Sequence, residues 1–375
     1  MENVDELKKG PWPSHIKELE RTKYPLAIYE EALKKKQTQW IGGGYISAPG
    51  VPSGIIGRRS KRPDILKVSS ILRVMPPPGV FFTTSLFRKL SRIADEYGNG
   101  LIHLCATTSD IELMGIPGEK MAEAVKQIEG IGLDVGSTDA TLRTAKTCIG
   151  PARCDVALID TIGIRSAFTK RFLDDMQYPR FPHKVKTKIA GCPNDCVLGI
   201  HKSEIFVCGA FRDAPKVNRP ELGKWIERGG DISSIVSRCP VNAMSMSDGE
   251  LRIDSNACVH CMYCINQCPA IRPGEDRGAS ILVGGKFRSK YGPTLARVLV
   301  PFIKAEPPEY KEILDLVERI AEVFYEHART KERMGEFLHR MGFDRFMELV
   351  GVEVDPRNLT EPRENLFFRW KKEEL

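Results

Sequence analysis

The sequence predicts an α+β protein into which a small cysteine-rich module is inserted. Three observations lead to this expectation. Strand and helix patterns alternate between about residues 65 and 134, eight of the 11 cysteines fall in two pairs and one dense run, and one strand of period two runs directly into a cysteine loop. A chain of 375 residues, 42% of them hydrophobic, is long enough for two or three domains that each have a core.

Composition and charge exclude several classes of protein. The best apolar run, 298–303, contains Pro301 and is far shorter than the roughly 18 residues of a membrane span. The first residues lack the basic-then-apolar order of a signal peptide. The formal net charge is only +7, and no run of Lys or Arg forms a nucleic-acid-binding arm. We therefore expect a cytoplasmic protein with no membrane span and no nucleic-acid partner.

The first half of the chain predicts an arm followed by a small α+β unit. Residues 1–64 are charged and broken by prolines, then rich in Gly, Pro and Ser, so we expect a helical and then extended arm. Residues 65–138 alternate between strand and helix patterns. The expected elements of this unit are a strand at 71–74, a helix at 84–97, a strand at 101–106 and a helix at 118–128.

The second half predicts a larger α/β domain, residues 139–230 and 273–375, with a helix near 155–175 and a strand at 280–283. Residues 184–189 alternate with period two, which places three lysines on one face of a strand that leads into a cysteine loop. The tail from residue 308 is expected to be helical. Its apolar residues recur with helical spacing and predict a packing face: Ile313, Val317, Ile320 and Phe324.

A dense run of cysteines marks the inserted module, residues 231–272. From Cys258 the run reads C-x2-C-x2-C-x3-C-P, which is the spacing of bacterial ferredoxins that hold a [4Fe-4S] cluster. Structural zinc is the alternative, although zinc usually takes two CxxC pairs separated by a longer loop.

The fourth ligand of this cluster is expected upstream of the run. In two-cluster ferredoxins, the cysteine that precedes proline in one run ligates the cluster held by the other run. Cys239 precedes Pro240 and is therefore the expected fourth ligand, whereas Cys268 is left over. The predicted ligands of the module are Cys239, Cys258, Cys261 and Cys264.

Two further cysteine pairs lie in loops that are distant in sequence. They read CIGPARC, with Cys148 and Cys154, and GCPNDC, with Cys192 and Cys196. Either pair alone is a weak signal, but together they resemble the sulfite and nitrite reductase family of haemoproteins. An isolated structural cluster is the alternative.

The resemblance is closest to the alpha subunits of dissimilatory sulfite reductases. It rests on the opening 10–14, the Gly57-Arg58 loop, the segments 147–154 and 190–196, and a ferredoxin module after the second cysteine pair. The chain departs from that pattern in being somewhat short, especially between residues 20 and 60, and in carrying Cys268. The related beta subunits have the same architecture and are the nearest alternative.

The resemblance implies a fold and a set of cofactors. The fold is a ferredoxin-like N-terminal unit followed by a sirohaem/[4Fe-4S] α/β domain that contains the bacterial-type ferredoxin module. The two cysteine pairs would hold one [4Fe-4S] cluster, which Cys196 would join to sirohaem. The module would hold a second [4Fe-4S] cluster that relays electrons.

The resemblance also implies a reaction, the six-electron reduction of sulfite to sulfide. Basic side chains bind an oxyanion and organise its protonation, and the family's anion-site positions correspond to Arg73, Arg143, Lys184 and Lys186. Sirohaem carries several carboxylates. Its expected basic and hydroxyl neighbours are Arg58, Arg59, Lys61, Arg62, Thr107, Thr108, Lys286 and Arg288.

Partners follow from the size of the chain, which corresponds to one half of the single-chain enzymes in this family. A homologous beta subunit, in an α2β2 assembly, would complete each site, and a small sulfur-carrier or electron-donor protein would serve it. Three alternative interpretations are open. The chain could belong to a form that runs the reverse, sulfur-oxidising reaction, to an assimilatory sulfite or nitrite reductase, or to a haem-free electron carrier with two clusters.

Overall fold

The structure, a computed structural model, describes residues 55–56, 69–105, 108–247, 249–287, 289–353 and 355. The chain divides into two compact units. The described part of unit 1 is residues 55–56 and 69–75, together with Phe82–Cys105 and Ile111–Val135. Unit 2 comprises Pro76–Phe81, residues 108–110 and the described chain from Gly136 onward.

Unit 1 is a four-stranded antiparallel sheet with two helices. The strands are β1 (Ile55–Ile56), β2 (Ser69–Val74), β3 (Ile102–Leu104) and β4 (Ile111–Pro117), in the order β1-β2-β4-β3. The helices are α1 (Thr84–Tyr97) and α2 (Met121–Gly130). All four elements expected between 65 and 138 are present, and α1 has the expected bounds.

Helix α1 shows how the sequence sets these elements. The Thr83 hydroxyl accepts the N–H of Leu86 at 3.1 Å, which caps the first turn, and the helix ends at Tyr97, directly before Gly98. Its apolar face buries Leu90 and Ile93 against a core formed with the sheet and α2. Burial of that face stabilises the unit by roughly 1.5–3 kcal/mol for each large side chain.

Unit 2 is built on a five-stranded mixed sheet in the order β13-β12-β7-β6-β5. Strands β5 (Lys146–Thr147), β6 (Thr187–Ala190) and β7 (Ile205–Phe211) are parallel. Strands β12 (Arg277–Val283) and β13 (Arg297–Ile303) extend the sheet in antiparallel fashion. Two helices lie between β5 and β7 in sequence, α3 (Thr161–Gln177) and the short α4 (Gly199–Lys202).

Two elements of this domain start later than the sequence predicts. Helix α3 begins at Thr161 because the Asp160 carboxylate accepts the N–H groups of Ile162 and Gly163 and so caps it there. Strand β6 begins at Thr187 rather than at residue 184. The N–H of Lys186 donates to the Glu204 carboxylate at 2.8 Å and is therefore not used in the sheet.

The segment 212–272 forms small elements around its own apolar core. They are β8 (Lys216–Val217), α5 (Arg219–Glu227), α6 (Ile232–Ser237), β9 (Met244–Ser247), β10 (Glu250–Ile253), α7 (Tyr263–Gln267) and β11 (Ile271–Arg272). Strands β9 and β10 pair as a hairpin, and β8 pairs with β11. The core includes Leu222, Ile235 and Ile265, and it also takes in Leu158 and Cys192 of the larger domain.

Three C-terminal helices complete the described chain: α8 (Lys311–His327), α9 (Met334–Met341) and α10 (Phe343–Val350). The expected packing face is confirmed, because Ile313, Val317, Ile320 and Phe324 are all fully buried. Within the described ranges, no helix has both the length and the hydropathy that crossing a bilayer requires.

Candidate cofactor and anion sites

The two cysteine loops at the five-stranded sheet converge. Cys148 directly follows β5, Cys154 follows a short 3-10 turn, and Cys192 lies two residues beyond β6. Burial raises the pKa of the Cys192 thiol, and the thiols of its three companions raise it further, which places all three near Cys192. We call Cys148, Cys154, Cys192 and Cys196 the split-pair cysteines.

The glycines of both motifs are required by close approach. The N–H of Gly191 donates to Cys148 Sγ at 3.1 Å, and a Cβ at Gly191 would lie 3.2 Å from Ala157 Cβ and 3.5 Å from that sulfur. Gly150 has a φ of +57°, and a Cβ there would lie 2.2 Å from the Thr161 hydroxyl oxygen. A larger residue at Gly191 would push the two loops apart, and one at Gly150 would displace Thr161 at the start of α3.

A buried lysine supports the loop that carries Cys196. Lys188 is 1% exposed, and its Nζ donates to the carbonyl oxygens of Val197 at 2.5 Å and Leu198 at 3.3 Å. Burial, together with the charges of Lys146 and Lys186, lowers the pKa of Lys188 to about 7. Cys196 itself is exposed, as a thiolate that binds a second group beyond a cluster must be.

The second set of cysteines gathers around the short helix α7. Burial raises the pKa of Cys264 to about 11, and Cys258 and Cys261 contribute to this rise. Burial also raises the pKa of Cys258, with contributions from Cys261 and Cys239. Cys239, Cys258, Cys261 and Cys264 line one recess, and we call them the module cysteines.

Polar groups around both sets suit iron–sulfur clusters. Protein N–H groups that donate to sulfur stabilise thiolate ligands and tune a cluster's potential. Besides Gly191, the N–H of Ala243 donates to Cys239 Sγ at 3.3 Å. In the recess of the module cysteines, the buried Nε2 of His260 has no hydrogen-bond partner among the described residues. A sulfur of a bound cluster would supply one, so the residues present fit such a group.

Two further observations concern metal binding. Among the described residues, no three His, Cys, Asp or Glu side chains are arranged around a single metal ion. Cys268 is 1% exposed and belongs to the apolar core, and burial raises the pKa of its thiol. It does not line the recess of the module cysteines.

A second polar site is a cluster of cations around one buried carboxylate. Glu204 is fully buried, accepts the N–H of Lys186 and forms an ion pair with Arg333. Burial acts to raise the pKa of Glu204, but the charges of Arg333 and Lys186 outweigh it and hold that pKa below its ordinary value. We call Arg143, Lys184, Lys186 and Arg333 the cation cluster.

The cations of this cluster exceed its negative charge. Burial and the charges of Arg333 and Arg143 lower the pKa of Lys184 to about 8. Burial lowers the pKa of Lys186 as well, although Glu204 opposes the change. Mutual repulsion among partly buried cations favours binding of an anion, which would relieve it. The Lys186 ammonium donates to the carbonyl oxygen of Lys202 at 2.7 Å.

The other predicted residues are found in different surroundings. Arg73 lies in unit 1, where its guanidinium pairs with Glu112 at 2.9 Å, and Glu112 also contacts His103 at 2.7 Å. In unit 2, the Thr108 hydroxyl donates to Asp110 at 2.6 Å, and Lys286 pairs with Glu336 at 2.8 Å. Their proposed contacts with sirohaem stay predictions. Six residues lie outside the described residues: Arg58, Arg59, Lys61, Arg62, Thr107 and Arg288.

Sequence reasoning missed three residues of these sites. Arg333 and Glu204 are 129 residues apart, so no local pattern connects them. Lys188 could have been found, because it lies on the same strand face as Lys184 and Lys186 and directly precedes the second cysteine motif.

Family models match both units. The nitrite/sulfite reductase ferredoxin-like half domain matches residues 67–131, and the nitrite and sulphite reductase 4Fe-4S domain matches residues 138–357. The second match alone covers more than half of the chain. The chain belongs to the nitrite and sulfite reductase family. The predicted α+β fold, with a ferredoxin-like unit before a 4Fe-4S domain, is confirmed.

Relatives narrow the assignment within the nitrite and sulfite reductase family. The dissimilatory-type sulfite reductase subunit alpha of Allochromatium vinosum is 34% identical over 388 residues, which cover 98% of this chain and 93% of the relative. The crystal structure of dissimilatory sulfite reductase I matches with a TM-score of 0.83 and 31% identity, over 99% of this chain and 95% of that one. The chain is thus an oxidoreductase of the dissimilatory sulfite reductase alpha-subunit type.

Membership of the sulfite reductase family has consequences for cofactors and partner. It implies iron–sulfur and sirohaem cofactors. The dissimilatory-type subunit beta of Nitratidesulfovibrio vulgaris is 29% identical over 305 residues, covering 76% of this chain and 78% of the relative. Homologous beta subunits of this kind imply a beta partner.

Proposed function

We propose that this chain reduces sulfite to sulfide by six electrons, in complex with a beta subunit. The convergence of the two cysteine loops carries the proposal, since the N–H of Gly191, next to Cys192, donates to Cys148 Sγ at 3.1 Å. These thiolates would hold a [4Fe-4S] cluster, with Cys196 joined to sirohaem. The module cysteines would hold a second [4Fe-4S] cluster. Sirohaem coupled to a cluster supplies electrons to sulfur at a single iron.

The chain's own residues would bind the oxyanion and manage its protons. Arg143, Lys184 and Lys186 would pair with sulfite oxygens and organise water for their release, as planar and point-charge donors do for small oxyanions. Glu204 would hold this surplus of positive charge in place by its buried pair with Arg333. Arg73 stays a proposed sulfite-binding residue, and in this structure its guanidinium pairs with Glu112.

The cation cluster and the split-pair cysteines lie toward opposite ends of one segment. Lys184 precedes β6, whereas Cys192 follows it. At about 3.3 Å per residue of extended chain, this separation of eight residues spans at most about 25 Å. We therefore propose that the cation cluster serves a sirohaem carried by the beta subunit, within an α2β2 assembly.

The test is a set of variants in the co-purified complex with the beta subunit. Lys184→Ala or Lys186→Ala should abolish sulfite turnover while iron and sirohaem content stay at the wild-type level. Lys202→Ala is the matched control, because the Lys202 side chain is exposed and its hydrogen bond with Lys186 is made by the backbone carbonyl, which the substitution retains. Full turnover in both lysine variants would contradict the proposed anion site.

A haem-free electron carrier is the competing function, and the absorption spectrum separates the two. Iron–sulfur clusters alone give broad visible absorbance, whereas sirohaem adds distinct bands. The wild-type complex should show those bands, and Cys196→Ser should lose the share of them that comes from this chain's sirohaem. A wild-type spectrum without sirohaem bands would favour the carrier.

A further inference from the structure

Two asparagine side chains connect the loops that hold the two cysteine sets. Asn194 Nδ2 donates to Asn266 Oδ1 at 3.0 Å, and Asn266 Nδ2 donates to Asn194 Oδ1 at 2.7 Å. The two amides therefore form a reciprocal pair with both hydrogen bonds made. The partners are 72 residues apart in sequence, so neither bond belongs to a local turn or cap.

Each asparagine lies two residues from a proposed cluster ligand. Asn194 follows Cys192 in the motif GCPNDC, and its N–H also donates toward the Cys192 thiol. Asn266 follows Cys264 on α7, where its N–H makes the helical bond to Met262 at 2.9 Å. Cys192 is part of the apolar core against which Cys264 packs, so one cysteine of each set borders the same core.

Stability alone does not account for the pair. Both side chains are exposed, and an exposed amide can bond to water almost as well as to protein. What the pair provides is geometry, because two antiparallel hydrogen bonds fix both the spacing and the orientation of the loops that they join. It also provides a covalent and hydrogen-bonded route from Cys264 to Cys192, two residues that border the same apolar core.

We propose that Asn194 and Asn266 form the electron bridge between the module site and the split-pair site. This inference rests on the proposed function, in which each site holds one [4Fe-4S] cluster. One electron enters from a one-electron donor protein, leaves the module cluster, which is oxidised, and arrives at the split-pair cluster, which is reduced. The pair is a positioning and bridging device and does not touch the substrate.

The experiment uses the complex with the beta subunit and the variants Asn194→Ala, Asn266→Ala and the double variant. After flash photoreduction of the module cluster, the rate of electron arrival at the sirohaem bands is followed optically. Each single variant should slow this rate several-fold, and the double variant should be no slower than the singles, since either change breaks the whole bridge. Asn266→Asp, which keeps one of the two hydrogen bonds, should lie between.

Two controls separate bridging from general damage. Gln267→Ala changes the next exposed residue of α7 and should leave the rate at the wild-type value. Iron content, sirohaem content and the reduction potential of each cluster should be unchanged in every variant. A wild-type transfer rate in Asn194→Ala and Asn266→Ala, or loss of a cluster in either, would overturn the bridge.

Failure of the proposed function would look different. If the wild-type complex holds a single cluster per chain or lacks sirohaem, both the function and the bridge are contradicted. If the wild type holds both clusters and sirohaem but the asparagine variants transfer electrons at the normal rate, only the bridge fails.

Discussion

The two cysteine sets of this chain are assembled in different ways. The module cysteines come mostly from a short stretch of chain, and the helix α7 and two neighbouring turns bring them to one recess. The split-pair cysteines come from two loops that helix α3 and strand β6 separate in sequence. The first set therefore depends on local backbone conformation, whereas the second depends on the whole five-stranded sheet. Changes to the sheet should affect one set and spare the other.

The largest expected effect is the selective loss of one cofactor. Cys196→Ser should remove the sirohaem that this chain carries, with its share of the visible bands, while the module cluster is retained. Cys261→Ser should remove only the module cluster, since Cys261 lies in its recess. That variant should lose turnover with a protein electron donor but keep turnover with a small chemical reductant. Iron analysis, the visible spectrum and the two assays check this.

The matched control for both variants is Cys268→Ala. Its thiol lies in the apolar core and outside the recess, so iron content should be unchanged. If Cys268→Ala loses a cluster, or if Cys261→Ser also removes the sirohaem bands, the two sets are not independent.

The next effect concerns the buried carboxylate of Glu204, which lies in the cation cluster. Glu204→Gln leaves Arg333 and Lys186 without their buried negative partner, which should lower the free energy of unfolding by about 3–5 kcal/mol. Chemical denaturation of the purified complex measures it. The partly exposed Glu250, which pairs with Arg219 at the surface, is the control, and Glu250→Gln should change stability by less than about 1 kcal/mol. Equal effects of the two substitutions would contradict the account of the cation cluster.

A smaller effect is expected from one methyl group at the split-pair site. Gly191→Ala places a Cβ 3.2 Å from Ala157 Cβ and 3.5 Å from Cys148 Sγ, so the loops must shift, at a cost of about 1–3 kcal/mol. Occupancy of the split-pair cluster should fall while that of the module cluster does not, as iron analysis and the spectrum will show. At Gly223 in α5, an added Cβ meets no described atom within 4 Å. Gly223→Ala should leave both clusters at full occupancy.

The sequence predicted these two regions unequally, for a physical reason. The module run from Cys258 is contiguous, so its spacing alone indicates a cluster. The split-pair site could be recognised only because its two motifs resemble those of a family, since neither pair determines where the other lies. The pairings of Glu204 with Arg333 and of Asn194 with Asn266 could not be predicted, because only the folded sheet brings such distant residues together.

Contacts between residues that are distant in sequence also explain the errors at element boundaries. The lysine-bearing strand was expected from residue 184 on period two alone, but the Glu204 side chain takes the N–H of Lys186 and delays the start of β6. Helix α1, whose cap lies next to it in sequence, was predicted with its correct bounds.

The smallest expected effect is the pH dependence of sulfite binding, and it arises in the cation cluster. The pKa of Lys184 is lowered from its ordinary value to about 8, so its ammonium is charged below that pH and neutral above it. Sulfite affinity, measured by equilibrium titration of the complex, should be highest below pH 8 and fall by at most about tenfold per pH unit above it. A loss of stability is not the cause of the decline, because a lowered lysine pKa makes the folded state more stable as pH rises.

The control variant is Lys184→Arg. Its charge does not titrate in this range, so the decline in sulfite affinity above pH 8 should be lost. An identical decline in that variant would assign the titration to another group.

The most direct test for two separate clusters, one of them joined to sirohaem, is iron anomalous diffraction from crystals of the complex with the beta subunit. We expect two separate iron peaks in this chain, one among the split-pair cysteines and one among the module cysteines. We also expect a macrocycle on Cys196. Iron at only one cysteine set, or density without a macrocycle beside Cys196, would contradict it.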